Sequence, residues 1–176
     1  EFSPAAGIYA ADQSVTLSTA TSGAAIYYTT DGSDPTTLSA RYSEPVAVGG
    51  DGTSTTIRAI AVLAGMRTSA VSSAAYSISY PAAAAPEFSP AAGTYPADLS
   101  VTISTATSGA AIYYTTDGAD PTTLSARYSA PVAVSGDRTS LTIRAIAAMA
   151  GMRTSAVSSA AYSIGYPAAA APSFSI

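Results

Sequence analysis

The chain has 176 residues, of which 48% are hydrophobic and 10% are charged, and its formal net charge is −4. It contains no Cys, His, Lys or Asn, so all seven cationic side chains are Arg. These absences exclude disulfides and thiolate or imidazole metal sites, and the acidic balance argues against a nucleic-acid partner, which needs clustered cations. No apolar run approaches the roughly 20 residues of a membrane span.

The first half of the chain carries five short β patterns and no helical period. Apolar and polar residues alternate within them, and Thr, Tyr, Val and Ile dominate. Glycine-containing turns separate the patterns, and Gly65 favours a hairpin loop over a helix across residues 64–70. Short strands at this spacing predict an all-β sandwich or barrel. The predicted strands are Ser14–Ser18, Ala25–Thr29, Pro45–Val48, Thr56–Val62 and Val71–Ile78.

The whole pattern repeats after 86 residues. EFSPAAG begins at Glu1 and again at Glu87, YPAAAAP begins at Tyr80 and Tyr166, and about twelve of the 86 positions differ between the copies. A fixed period of this kind indicates a tandem array, and 86 residues are enough for each copy to be a small domain. We predict β-sandwich repeats at residues 1–80 and 87–166, linkers at 81–86 and 167–172, and the start of a third repeat at 173–176.

The predicted linkers each hold four alanines between two prolines. Four residues are too few to nucleate a helix, and Pro86 disfavours the helical region for Ala85. An extended, polyproline-like spacer of about 3.1 Å per residue is expected. Because the segment contains no Gly, we expect it to be semi-rigid.

Three segments carry a resemblance to a known family: FSPAAGxY, SVTLSTATSGAAIYYTTDGSDPT and TIRAIAVLAGMRTSAVSSAAYSI. Each repeat resembles, over nearly its whole length, the small β-sandwich related to the C-terminal domain of chitobiase and β-hexosaminidase. The resemblance implies tandem immunoglobulin-like or fibronectin-like sandwiches. It also implies an extracellular or cell-surface setting, because such modules are accessory domains of secreted bacterial glycoside hydrolases and units of surface arrays. The family brings no catalytic residues to carry over.

The segment YYTTDGSDPTT, at residues 27–37, has two interpretations. Asp-Gly and Asp-Pro are turn signals, because Gly reaches positive φ and the Asp carboxylate accepts bonds from nearby backbone N–H groups. Two carboxylates among hydroxyls are also ligands that Ca²⁺ accepts, although the spacing is not that of a known calcium loop. We favour turns and retain as weak metal candidates Asp31, Asp34, Asp117 and Asp120.

Adjacent tyrosines in a strand point to opposite faces of its sheet. Of Tyr27 and Tyr28, one is therefore expected in the core and the other outside. An outward Tyr27, together with Tyr42, would form an aromatic platform for a sugar ring, whereas the simpler interpretation is that Tyr suits a strand. The carbohydrate candidates are Tyr27 and Tyr42, with Tyr113 and Tyr128 in the second copy.

The strand around Ile57 predicts an apolar outer face. If Ile57, Ala59 and Ala61 face the core, the residues between them face outward. Two aliphatic side chains beside an arginine indicate contact with a neighbouring domain or chain; the alternative is that both faces are covered within the repeat. The predicted interface residues are Arg58, Ile60 and Val62, with Arg144 and Ile146 in the second copy.

Catalysis is not expected from this residue set. The usual acyl-transfer triads need a His base, no Cys or Lys is available as nucleophile, and the aspartates lie among turn residues, where solvation keeps them ionised. No cofactor is implied.

The prediction is a non-catalytic structural repeat of an extracellular bacterial array or fibre, whose partners are neighbouring copies. The alternative is a carbohydrate-binding accessory module of a secreted hydrolase or adhesin, and the Ser/Thr-rich stretches also resemble O-glycosylation substrates.

Overall fold

A computed structural model describes residues 1–172, so the predicted start of a third repeat at 173–176 lies outside the described residues. The chain divides into two compact units, Glu1–Pro81 (unit 1) and residues 82–176 (unit 2). Residues 1–172 contain strands and turns but no helix. The predicted all-β class is therefore confirmed, and the segment at 64–70 is a loop.

Unit 1 contains eight strands in two sheets. One sheet has three strands in the order β1-β3-β6, and the other has five in the order β2-β8-β7-β4-β5. All pairings are antiparallel except β2 with β8, which is parallel. The strands are β1 (Phe2–Ser3), β2 (Gly7–Tyr9), β3 (Gln13–Leu17), β4 (Ala25–Thr29), β5 (Ala40–Arg41), β6 (Val46–Val48), β7 (Ser54–Val62) and β8 (Ser72–Ile78).

Unit 2 repeats this arrangement strand for strand. Its sheets have the orders β9-β11-β14 and β10-β16-β15-β12-β13, and β10 pairs with β16 in parallel. Each unit is thus a two-layer sandwich of the immunoglobulin or fibronectin type. The strands are β9 (Glu87–Ser89), β10 (Gly93–Tyr95), β11 (Leu99–Ser104), β12 (Ala111–Thr115), β13 (Ala126–Arg127), β14 (Val132–Val134), β15 (Ser140–Ala148) and β16 (Ser158–Ile164).

The core of each unit lies between its two sheets. Alternation places every second side chain of a strand on the inner face, so β3 and β6 contribute Val15 and Val48 while β7 and β8 contribute Ile57 and Tyr76. Tyr76 is fully buried, and its hydroxyl donates a hydrogen bond of 2.8 Å to the carbonyl of Pro4. That bond satisfies the polar end of the largest core side chain and ties β8 to the turn that follows β1.

Candidate functional site

The DGSDP loop that follows β4 is held by hydrogen bonds and an ion pair. An Asp31 carboxylate oxygen accepts hydrogen bonds from the backbone N–H of Ser33 at 3.0 Å and from its hydroxyl at 2.6 Å. These bonds, led by the one from the hydroxyl, lower the pKa of Asp31 below its ordinary value. The guanidinium of Arg58, on β7, contacts Asp34 at 2.7 Å and donates to the Gly32 carbonyl at 3.1 Å. Both carboxylates therefore have partners within the loop and the adjoining strand.

The second copy keeps this arrangement with one difference. Arg144 contacts Asp120 at 2.5 Å and donates to the Gly118 carbonyl at 3.1 Å. Asp117 accepts the backbone N–H of Ala119, and the hydroxyl bond of the first copy is lost because alanine replaces the serine. Within the described residues 1–172, no three carboxylate, imidazole or thiol groups come together as a metal cluster would require. The four metal candidates serve as turn and ion-pair groups in this structure.

The tyrosines predicted for sugar binding lie in different places. Tyr42 packs against the core, with its ring edge-on to Tyr28 at a centroid distance of 6.4 Å. Tyr27 alternates to the outer face of the five-stranded sheet, where it stands opposite Ile60 on β7. The structure thus brings Tyr42 together with Tyr28 and not with Tyr27. The second copy repeats this, with Tyr128 edge-on to Tyr114 and Tyr113 opposite Ile146.

The predicted interface residues on β7 differ in exposure. Arg58 is engaged by the DGSDP loop, and its side chain is 32% exposed. Ile60 is only 6% exposed although it alternates to the outer face, and Val62 is half-buried. In unit 2, Arg144 is held in the same way and Ile146 is 4% exposed. The apolar side chains on the outer faces of β7 and β15 are thus less exposed to solvent than strand alternation alone predicts.

Sequence reasoning did not identify a tyrosine–aspartate contact at the end of each unit. The Tyr80 hydroxyl donates to Asp12, 68 residues earlier, and the same carboxylate oxygen accepts the Gly50 N–H at 2.9 Å. The Tyr80 bond, followed by the Gly50 bond, lowers the pKa of Asp12, and the bond to Asp12 raises the pKa of Tyr80. Tyr166 and Asp98 repeat the contact. The only signal in the sequence is that both residues recur after 86 positions.

The alanine-rich segment that precedes β9 is also bound in place, as part of unit 2. Ala82 forms a parallel bridge with Arg153, and the Ala83 N–H donates to the Arg153 carbonyl at 2.9 Å. The Ala84 N–H donates to the Thr107 hydroxyl at 2.7 Å, and the Ala84 carbonyl accepts from the Thr105 hydroxyl at 2.7 Å. Ala83 is 5% exposed. Unit 2 therefore holds this segment through three hydrogen bonds and a buried methyl group.

No helix within residues 1–172 has the length and apolar character needed to cross a membrane. A comparison with curated protein sequences returned no match.

Solved structures with a similar fold include the fibronectin(III)-like modules of Clostridium thermocellum CbhA. That chain is 16% identical with a TM-score of 0.37, and the match covers 94% of each chain. The extracellular domains 3–5 of Drosophila OTK are 9% identical with a TM-score of 0.32, over 96% of this chain and 62% of that one.

Two segments of the chain, residues 4–73 and 90–159, match the model of a single protein family. The description of that family is chitobiase/beta-hexosaminidase C-terminal domain. The two matches are 86 residues apart, in step with the repeat, and each covers most of one sandwich. The expected resemblance is confirmed: this chain belongs to the chitobiase/β-hexosaminidase C-terminal domain family, as two tandem copies.

Proposed function

We propose that the chain is a non-catalytic structural repeat of an extracellular bacterial surface array or fibre, and that its partners are neighbouring copies of the same repeat. The family is a C-terminal domain distinct from the catalytic part of hexosaminidases, and modules of this kind typically occur in extracellular proteins. In this role each unit supplies a folded block, and the number of blocks sets the length.

The observation that supports this proposal is that the stabilising contacts are duplicated together with the sequence. The buried bond from Tyr76 to the Pro4 carbonyl recurs from Tyr162 to the Pro90 carbonyl, at 2.8 Å in both units. The ion pair of Arg58 and the tyrosine–aspartate contact recur as well. Because the two units share one fold and the same stabilising contacts, we infer that each unit has the same structural role.

Small-angle X-ray scattering on chains of two, three and four units tests this role. The proposal requires the maximum dimension to grow by a constant increment for each added unit. A chain of four units no longer than a chain of two would refute it. A matched set in which each alanine segment is replaced by Gly-Ser of equal length separates the contribution of the linker from that of the sandwiches.

Carbohydrate binding is a second candidate, favoured by the outward position of Tyr27 and Tyr113. Each stands opposite an isoleucine on the outer face of a five-stranded sheet, and an aromatic ring so placed offers a flat apolar surface for a sugar. Retention on insoluble polysaccharides should then be lost in the Tyr27→Ala/Tyr113→Ala variant. Arg41→Ala/Arg127→Ala, on the exposed strands next to these tyrosines, is the control. Absence of retention by the unaltered chain on all polysaccharides tested would reject this candidate.

A further inference from the structure

The alanine segment is bonded to unit 2 outside the paired strands and outside the core. Its three hydrogen bonds reach the Arg153 carbonyl and the hydroxyls of Thr105 and Thr107. All three of these residues lie in loops that follow the ends of strands. Ala83 is buried, but it is not a member of the cluster of core side chains between the two sheets of unit 2. The segment can therefore leave unit 2 without breaking a strand pairing or opening the core.

The chain that leads into the segment is fixed to unit 1. The backbone N–H of Tyr80 donates to the Asp51 carboxylate at 2.8 Å, and the Tyr80 hydroxyl donates to Asp12. Only Pro81 separates Tyr80 from Ala82, which forms the bridge to unit 2. Tension that reaches unit 2 through Tyr80 therefore acts first on Ala82 and then on the hydrogen bonds of the next two alanines.

The other end of the segment is fixed to unit 2. Pro86 is buried and leads directly into β9, which pairs with β11. We propose that residues 82–85 form a releasable strap, which unit 2 binds in the relaxed chain and which tension along the chain frees before the sandwich unfolds. The release of these four residues adds at most about 14 Å of chain, at roughly 3.6 Å per residue.

The strap is held by fewer contacts than the strands of the sandwich. Three hydrogen bonds and one buried methyl group hold Ala83 and Ala84, whereas β15 pairs along its length with β12 and β16. Segments with few buried apolar contacts open locally at a lower free energy than core strands. The flanking prolines restrict the freed strap to extended conformations, which lowers the entropy lost when it binds again. The strap should therefore be bound without load and be the first part of unit 2 to yield.

Hydrogen exchange, measured by nuclear magnetic resonance on the full chain, tests the strap without load. The amides of Ala83 and Ala84 donate hydrogen bonds, so they should exchange at least about tenfold more slowly than in a free peptide. They should also exchange at least about a hundredfold faster than the amide of Ala145 in β15. Equal protection of Ala83 and Ala145 would mean that the strap opens only with the whole unit, and absence of protection would mean that it is not held. Either result overturns the proposal.

Ala83→Asp places a carboxylate at the buried position and should free the strap. Protection of the Ala84 amide should then fall by about tenfold or more, while protection of Ala145 should change by less than about twofold. Ala85→Asp is the matched control because Ala85 is exposed, and it should change both values by less than about twofold. If Ala83→Asp lowers the protection of Ala84 and Ala145 by the same factor, the strap is part of the cooperative fold and the proposal fails.

Magnetic tweezers attached to the two ends of the full chain test release under load. The unaltered chain should lengthen reversibly by up to about 14 Å below the force that unfolds a sandwich, and Ala83→Asp should lack this step because its strap is already free. Identical curves for the two chains below that force would overturn the proposal. The inference rests on the proposed structural role only for the source of the load. Scattering without a constant length increment would reject the array and leave the strap standing, whereas absence of the step would reject the strap and leave the array standing.

Discussion

Replacing Tyr76 by phenylalanine should destabilise unit 1 by removing one buried hydroxyl. The ring is fully buried, and the hydroxyl donates at 2.8 Å to the Pro4 carbonyl. Phenylalanine keeps the ring packing but leaves that carbonyl without its donor. Burial, with a smaller contribution from the neighbouring Tyr9, raises the pKa of the Tyr76 hydroxyl, in keeping with a site poorly reached by water.

The expected cost is that of an unsatisfied acceptor in a partly buried site, about 1–2 kcal/mol. For a domain of this size, each kcal/mol lowers the melting temperature by roughly 4–8 °C. Tyr9→Phe is the matched control, because the Tyr9 hydroxyl donates to the Ala5 carbonyl at an exposed site, where water replaces it. The control should cost less than about 0.5 kcal/mol.

Differential scanning calorimetry of the two-unit chain resolves this effect, because the second unit serves as an internal reference. Tyr76→Phe should move one component of the transition to lower temperature and leave the other in place. Tyr162→Phe, which removes the equivalent bond in unit 2, should produce a shift of similar size. If Tyr76→Phe and Tyr9→Phe lower the melting temperature equally, the buried bond does not contribute as argued.

Three further changes test other parts of the structure. Arg138 has φ of 63° where unit 1 has Gly52 at 76°, so Arg138→Gly should stabilise unit 2 by about 1 kcal/mol in urea unfolding; a loss of stability would contradict this. Folding lowers the pKa values of Asp12 and Asp98 below the ordinary value of 3.8. The hydrogen bonds of these carboxylates therefore stabilise the fold fully above the ordinary pKa, and this stabilisation is lost as the pH falls through the folded-state pKa. Asp12→Asn should therefore flatten the acid side of the stability profile of unit 1, and an unchanged profile would argue against the Tyr80 contact. The loop carboxylates already have hydrogen-bond or ion-pair partners, so EDTA should leave the melting temperature unchanged. A lower melting temperature in EDTA would support calcium binding by these loops.

Strand positions were accessible from the sequence because they depend on local alternation. The patterns around Val15, Ile57 and Tyr76 predicted β3, β7 and β8 within a few residues. The short strands β1, β2 and β5 were not predicted, because two or three residues carry no period. The turn role expected for Asp31 follows from its immediate neighbours, and its bonds to Ser33 lie two residues away.

The 86-residue period, the all-β class and the family were determined by the sequence alone, because they depend on residues near one another or on direct repetition. Only the tertiary structure determined which side chains from different parts of the chain contact each other. It joins Tyr80 to Asp12, turns Tyr42 toward Tyr28 and places Ala83 in a groove of unit 2. Some of these contacts join positions that are far apart in the chain. Others depend on the face of a sheet against which the chain packs after a loop. No local sequence pattern specifies these contacts. They form when the two sheets pack against each other, and the space left between the sheets determines which side chain fits there.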